Sequence, residues 1–514
     1  MKLNFLNLLV ASFITVNSVS FEVCVSQEKE KLSSNINSEI SELNPIISAD
    51  GNHFYFIRSK WKDNQVENQM IWYSEKDPNG DWKKSVKMSE PFNKGDMNRI
   101  VSISPDGNEI VLSYGIIKTN KVEYIKIQKN NNKWKEVEIL KPKSEDEHQF
   151  KNSYWGHASY STSGKVAIIS ANKTKDPYDK FNELYVCFLK GDTWSRAHKI
   201  GKPLNIYEGE WGSLNPYLAP DDKTLYFASE RKSGYGSLDI YMSKRLDDSW
   251  LKWSEPINLG ENINSKAFDS FYCIDAKGEY AYFVSSIEGT GNDDIYRIKL
   301  PENVKPDPVV LVYGKVINSK NSQPLDATIS YNSLSDNVEV GTAKSNSFDG
   351  KYKIILPYGK KYSFQANNSG YYSISNYLDL SEISEYKEMN IDIEMKPIEI
   401  GETIRLNNIF FDFNESTLSP ESYMELDRVV KLLNENPNIE IELSGHTDNV
   451  GSDEYNDNLS LNRASSVAKY IILKGVNSQR IISKGYGKKS PVASNDSEEG
   501  RQLNRRVEFT ILKK

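Results

Sequence analysis

Short apolar runs separated by turn residues fill the chain from about residue 41 to 300, and one pattern comes round five times. The turns are Ala49-Asp50-Gly51, Pro105-Asp106-Gly107, Thr162-Ser163-Gly164, Pro220-Asp221-Asp222 and Ala276-Lys277-Gly278, spaced 56, 57, 58 and 56 residues apart. A four-residue apolar run follows each, as in His53 to Phe56, Thr224 to Phe227 and Tyr280 to Phe283. A third run, such as Asp239-Ile240-Tyr241-Met242, follows that, and Trp82, Trp134, Trp194 and Trp250 mark a fourth in four of the units. Runs of this length bounded by turn residues read as strands. The turn residues supply the positive φ of a tight hairpin.

Four short strands cannot cover both of their faces alone, so such units stack radially into a β-propeller, expected over residues 27–300. Independent sandwiches would need larger and less regular units. Five blades fit the repeat, with six as the alternative count. The fifth unit has no obvious fourth strand before Pro301, so residues near Ile36–Leu43 are expected to complete it.

Pro301 to Pro308, with prolines at 301, 306 and 308, reads as a linker. From 309 to about 398 the runs Val310 to Ile317 and Tyr352 to Leu356, with turns at Asp349-Gly350 and Pro357-Tyr358-Gly359, predict a small β-sandwich. The last segment, 400–514, changes period. Thr403 to Phe411 predicts a strand. Ser419-Pro420-Glu421 opens a helix with Leu426, Val429, Val430 and Leu433 on one face. Asn438 to Leu443 alternates as a strand, and a second helix is expected after Leu459-Ser460, with Ala464, Val467, Ala468 and Ile471 inward. Arg480–Lys484 and Val507–Leu512 complete a βαβαββ order. The fold class is therefore multidomain and mainly β, ending in an α+β domain.

Composition changes this picture little. Hydrophobic residues make up 38% and charged residues 26% of 514, and Tyr (30) and Trp (9) favour β structure. A net charge of −7 without a basic stripe argues against nucleic acid as partner. At the N-terminus, Lys2 and the broken apolar run Leu3 to Val16, then small residues up to Ser26, read as a secretory signal over 1–26, too short for a membrane span. Cys24 lies at lipidation depth, but Glu22-Val23 before it suits that processing poorly. Cys187 and Cys273 sit in strand-like runs and are expected to be buried, inert thiols.

Three resemblances attach to these segments. Asn215 to Asp222, Leu225 to Arg231 and Asp239 to Tyr241 resemble propeller repeats of the TolB type. The order Gly314-Lys315-Val316, Pro324-Leu325, Asp349-Gly350, Pro357-Tyr358-Gly359, Gly370-Tyr371 is similar to carboxypeptidase-regulatory-like domains, transthyretin-like sandwiches without protease chemistry. Ile409 to Phe413, Gly445-His446-Thr447-Asp448, Asn456, Leu459-Ser460, Arg463-Ala464, Gly485-Tyr486-Gly487 and Asn504 to Glu508 resemble the OmpA C-terminal-like pattern. That resemblance implies peptidoglycan binding, with Asp448 and Arg463 gripping the diaminopimelate of the stem peptide. It carries Thr447, Asn456, Leu459, Phe411, Asp412 and Arg506 as pocket-lining or supporting positions. The chemistry agrees: the diaminopimelate side chain ends in an ammonium and a carboxylate, which call for one anion and one cation at fixed separation. Arg463, expected in a helix's first turn, would sit against the helix dipole, a misfit that a ligand would explain.

The five histidines lack metal spacing, and no nucleophile elbow or phosphate-binding glycine loop occurs. The expectation is a non-enzymatic periplasmic anchor, without cofactor or transmembrane helix, associated with the outer membrane and cell wall. Its propeller and sandwich would face an outer-membrane or secretion-system partner. The whole arrangement resembles envelope proteins of Bacteroidota, including the wall-anchoring component of the type IX secretion apparatus. The alternatives are a propeller-based hydrolase or lyase, or a wall-tethered glycan or peptide sensor.

Overall fold

The structure, a computed structural model, describes residues 28–62, 65–116, 121–130, 133–140, 143–144, 155–172, 181–191, 193–286, 292–335, 338–373, 376–407, 409–412 and 415–514. The expected signal segment and Cys24 lie outside them.

Each of the five repeats forms an antiparallel meander. Their first strands are Ser41–Ile47, Met97–Ile103, Trp155–Tyr160, Ser213–Leu218 and Asp269–Ile274. The turn that follows each has its positive-φ residue where the sequence predicts, at Gly51, Gly107, Gly164, Asp222 and Gly278 (φ 54° to 71°). The first strands of the second to fifth units touch in sequence and that of the fifth meets that of the first, while the first and second are linked by a hydrogen bond. Tyr217 Oη donates to the Ile274 carbonyl (2.6 Å), Leu218 N to Ser159 Oγ (2.8 Å) and Asn44 Nδ2 to the Ile100 carbonyl (3.3 Å). Sheet faces are covered by their neighbours: Phe54, Phe56 and Trp82 of the first unit pack with Cys273, Tyr282 and Val284 of the fifth.

The fifth sheet is closed by Glu30–Lys31, which pairs antiparallel with Asp293–Lys299. Residues 36–43 do not supply that strand. Asn37 is instead folded back onto Leu32 and Ile295, and Ser41 already begins the first unit. Cys187 and Cys273 are buried and unpaired, and burial pushes the Cys187 thiol up to about 12.

Residues 301–308 lie along the fourth unit. Asp307 sits between Lys223 (2.7 Å) and Lys244 (2.6 Å), and Tyr226 Oη donates to the Val304 carbonyl (2.5 Å). Beyond them, two sheets share one core. One orders Lys351–Pro357, Val309–Asn318, Ile393–Pro397 and Tyr371–Ser373; the other orders Val338–Lys344, Thr328–Ser333, Lys361–Asn367 and Asn376–Asp379. Val309, Leu311 and Ile355 pack on Ala276, and Lys353 pairs with Asp50 (2.6 Å), joining this unit to the fifth and first repeats.

The C-terminal sheet orders Thr403–Leu406, Arg506–Lys513, Glu440–His446 and Ile481–Gly485, the last pair parallel. Helices α1 (Tyr423–Glu435) and α2 (Asp453–Leu473) cover it, and a short α3 (Glu498–Asn504), absent from the sequence reading, precedes the final strand. Leu426, Val429, Val430 and Leu433 of α1 and Ala464, Val467, Ala468 and Ile471 of α2 are buried as expected. Two boundaries differ. The first strand stops at Leu406 because Phe410 turns to Ser422 and Ser419, whose groups bond its backbone. Helix α2 starts six residues before Leu459, because Ser452 caps it through Tyr455 N and Asp453 and Glu454 occupy its first turn. No helix among the described residues is long and apolar enough to cross a membrane.

Candidate functional site

Two glycines bring α2 down onto the sheet edge. A Cβ at Gly445 would meet the Ser460 carbonyl at 2.0 Å, and one at Gly485 would meet Leu461 N at 2.5 Å. The strand Glu440–His446 thus delivers Thr447 and Asp448 beside the middle of the helix. Thr447 N donates to the Gly487 carbonyl (3.0 Å) and its hydroxyl to the Asp448 carbonyl (3.0 Å), fixing the chain where it leaves the sheet. Asn456, fully buried, donates through Nδ2 to the Val450 carbonyl (3.0 Å) and ties the following loop to α2.

Asp448 is buried, and each of its oxygens is held. Oδ1 accepts from Val450 N (3.0 Å) and Oδ2 from Arg505 Nη1 (2.7 Å). Arg505 also reaches Glu498 Oε1 (2.6 Å) and Gln502. Burial would lower the Arg505 pKa, but the bonds to Asp448 and Glu498 outweigh it and raise the value. The sequence pattern does not single out Arg505. The available signal was Glu498, which lies seven residues earlier and shares its helical face.

Arg463 lies mid-helix, so the dipole argument for its misfit fails. A different misfit replaces it. The residue is only 9% exposed, its Nε donates to the Glu415 carbonyl (3.0 Å), and its guanidinium lies 5.0 Å from the Phe411 ring centroid. Among the described residues its terminal nitrogens meet no acceptor, and it forms no ion pair. Burial, with Arg505's charge nearby, pulls its pKa below the usual arginine value, which still leaves it charged at neutral pH. Half-buried Leu459 and exposed Tyr455 line an adjoining cleft of about 320 Å³ with Asn458, Asn462 and Glu415–Thr417.

The other expected positions divide. Phe411 lies against Arg463, whereas Asp412 is exposed and contributes its carbonyl to Glu415 N (3.0 Å). Arg506 turns away from Asp448, to Glu508 (2.7 Å) and the Ser490 carbonyl (3.2 Å). Burial opposes ionisation of Glu508, yet His446 and Arg506 hold its pKa down to about 2. The arrangement offers one positioned carboxylate and one desolvated guanidinium with an open fork. A carboxylate is complementary to an ammonium, and a guanidinium fork to a carboxylate. Among the described residues no cluster of three or more His, Cys, Asp or Glu could hold a metal ion.

Residues 410–505 match the OmpA family profile, so the C-terminal part of the chain is an OmpA domain. Outer membrane protein A of Bordetella avium is 42% identical over 118 residues, which are 23% of this chain and 61% of that protein. Peptidoglycan-binding protein ArfA of Mycobacterium bovis is 40% identical over 103 residues, 20% of this chain and 32% of that one. The chain thus spans less than two thirds of either relative. Among solved structures, the peptidoglycan-associated lipoprotein from Burkholderia pseudomallei is 28% identical, with 21% of this chain and 88% of that chain covered and a TM-score of 0.19.

Proposed function

We propose that the chain is a non-catalytic cell-envelope anchor whose C-terminal domain holds the diaminopimelate side chain of peptidoglycan between Asp448 and Arg463. Asp448 receives the ammonium and Arg463 takes the carboxylate in its open fork. Arg505 and Asn456 keep the carboxylate and its loop in place, and Thr447, Leu459 and Phe411 shape the surroundings. The observation that carries this reading is Arg463 itself. A desolvated cation without a counter-anion is destabilising by several kcal/mol, and a ligand carboxylate removes that cost. The OmpA match and the relative described as peptidoglycan-binding agree with it.

In this reading the five meanders form a TolB-like five-bladed propeller, and residues 309–398 form a carboxypeptidase-regulatory-like sandwich. Both stand in the periplasm, moored to the wall and facing an outer-membrane or secretion-system partner. The meeting of the fifth unit's first strand with that of the first unit and the closing Glu30–Lys31 strand support the propeller. The shared core of the two later sheets supports the sandwich.

Co-sedimentation of the full chain with purified peptidoglycan tests the function. Wild type should pellet with the wall, and Asp448→Ala and Arg463→Ala should each stay in the supernatant while keeping native circular dichroism. Pelleting of both variants would end the assignment.

A further inference from the structure

The first strands of the five sheet units share an irregularity that the mooring function does not use. Each breaks register at its midpoint, between Leu43 and Ile46, Ile100 and Ser102, Trp155 and Ala158, Leu214 and Tyr217, and Ser270 and Cys273. Such bulges re-aim side chains out of the ladder. Three bulge residues stand at positive φ without being glycine: Asn44 (49°), Asn215 (50°) and Phe271 (55°). For phenylalanine that is a strained conformation, held only where the surroundings over-determine it.

Arg99 stands beside this level. Its Nε and Nη2 share one weak acceptor, Gln69 Oε1, at 3.3 Å each, and among the described residues it has no ion pair. Several cations elsewhere in these units have a carboxylate partner, since Arg58 reaches Glu42 (2.9 Å), Lys29 reaches Asp269 (3.4 Å) and Lys31 reaches Asp294 (2.6 Å), whereas Arg231 donates to the Pro203 and Leu204 carbonyls instead. Protein surrounds Arg99 and His157 closely enough that burial lowers both pKa values, and the Arg99 charge lowers that of His157 further. Both nevertheless keep partial solvent exposure. His157 meets the Phe271 ring edge-on (4.9 Å), leaving one aromatic wall. Asn215 donates through Nδ2 to Ser270 Oγ (2.5 Å), which fixes the bulge beside this wall.

We propose that the place where the first strands meet is a second binding site, for a small carboxylate seated on Arg99 with His157 and Phe271 beside it. A guanidinium fork without a protein anion matches a carboxylate's two oxygens. A single cation favours a monoanion over phosphate. The carboxylate belongs to a free acid or to a peptide C-terminus.

The test uses the full chain in an Asp448→Ala/Arg463→Ala background, which silences the C-terminal site. Carboxyl-labelled acetate and trialanine are titrated at constant chloride, and their NMR line broadening is followed. Saturable broadening is expected, weakened about tenfold or more in Arg99→Gln, the loss of one charge-assisted pair. Arg99→Lys should retain part of it, and the surface control Lys84→Gln all of it. Tighter trialanine binding would identify a chain end as the occupant. Absence of saturable broadening, or equal broadening in Arg99→Gln, would overturn the proposal. If Arg99→Gln does not fold, undiminished binding in Arg99→Lys would overturn it, since lysine lacks the fork.

Discussion

Arg505→Ala should weaken peptidoglycan binding although Arg505 is not offered to the ligand. In the structure it holds Asp448 Oδ2 at 2.7 Å and Glu498 at 2.6 Å. Removing it leaves Asp448 with Val450 N as its remaining donor. Two effects oppose each other. Losing a nearby cation deepens the negative potential felt by an incoming ammonium, and losing the tether lets the carboxylate swing out of position. Two unit charges 4 Å apart interact by about 4 kcal/mol at an effective dielectric of ~20. Solvent reduces this, because the Arg505 side chain is 30% exposed. The tether itself is a hydrogen bond between charged groups, worth roughly 1.5–3 kcal/mol, and the exposure argues for the low end. Asp448 also sits on a loop beyond the strand end, so positioning wins. The expected net loss is about 1.4 kcal/mol, or roughly tenfold in affinity. Calorimetric titration of the full chain with a soluble stem peptide measures it, with Arg505→Lys as a variant that keeps the charge and loses the fork. Unchanged or tighter binding in Arg505→Ala would refute the positioning role.

Three further outcomes are expected. Ser452→Ala removes the cap that starts α2 and should cost about 1 kcal/mol, read from urea unfolding of the full chain. Glu508 has its pKa lowered from 4.5 to about 2, so it stabilises the fold above about pH 4.5, and this is lost as pH falls towards 2. Glu508→Gln should therefore flatten the melting temperature's dependence on pH over that window, and an unaltered slope would place the acid sensitivity elsewhere. Deleting residues 28–32 removes buried Leu32 and the partner of Asp293–Lys299. Loss of the leucine alone is about 1.5–3 kcal/mol, so limited proteolysis should cut the fifth unit first.

Where local chemistry decides conformation, the sequence was readable. Five turn residues at positive φ, the buried faces of α1 and α2 and the buried cysteines follow from residue type and period alone. The closing strand was missed because Glu30–Lys31 is two exposed polar residues, which pair only because the edge of the fifth sheet waits for them. Helix α2 starts at Ser452-Asp453-Glu454, a capping residue followed by two acids, which is a stronger start signal than Leu459-Ser460. Arg463 is therefore unusual for being buried without an anion, not for opposing a dipole. Arg505 stayed hidden because its partner Asp448 is 57 residues away, and only the fold brings them together.

The central claim is that Arg463 reads a carboxylate beside an ammonium. Titration of the full chain with two stem peptides, identical except for diaminopimelate or lysine at the same position, isolates that carboxylate. Wild type should bind the diaminopimelate peptide at least about tenfold more tightly, and Arg463→Ala should lose the preference. Equal affinity of wild type for both peptides, or a preference that survives in Arg463→Ala, would contradict the account.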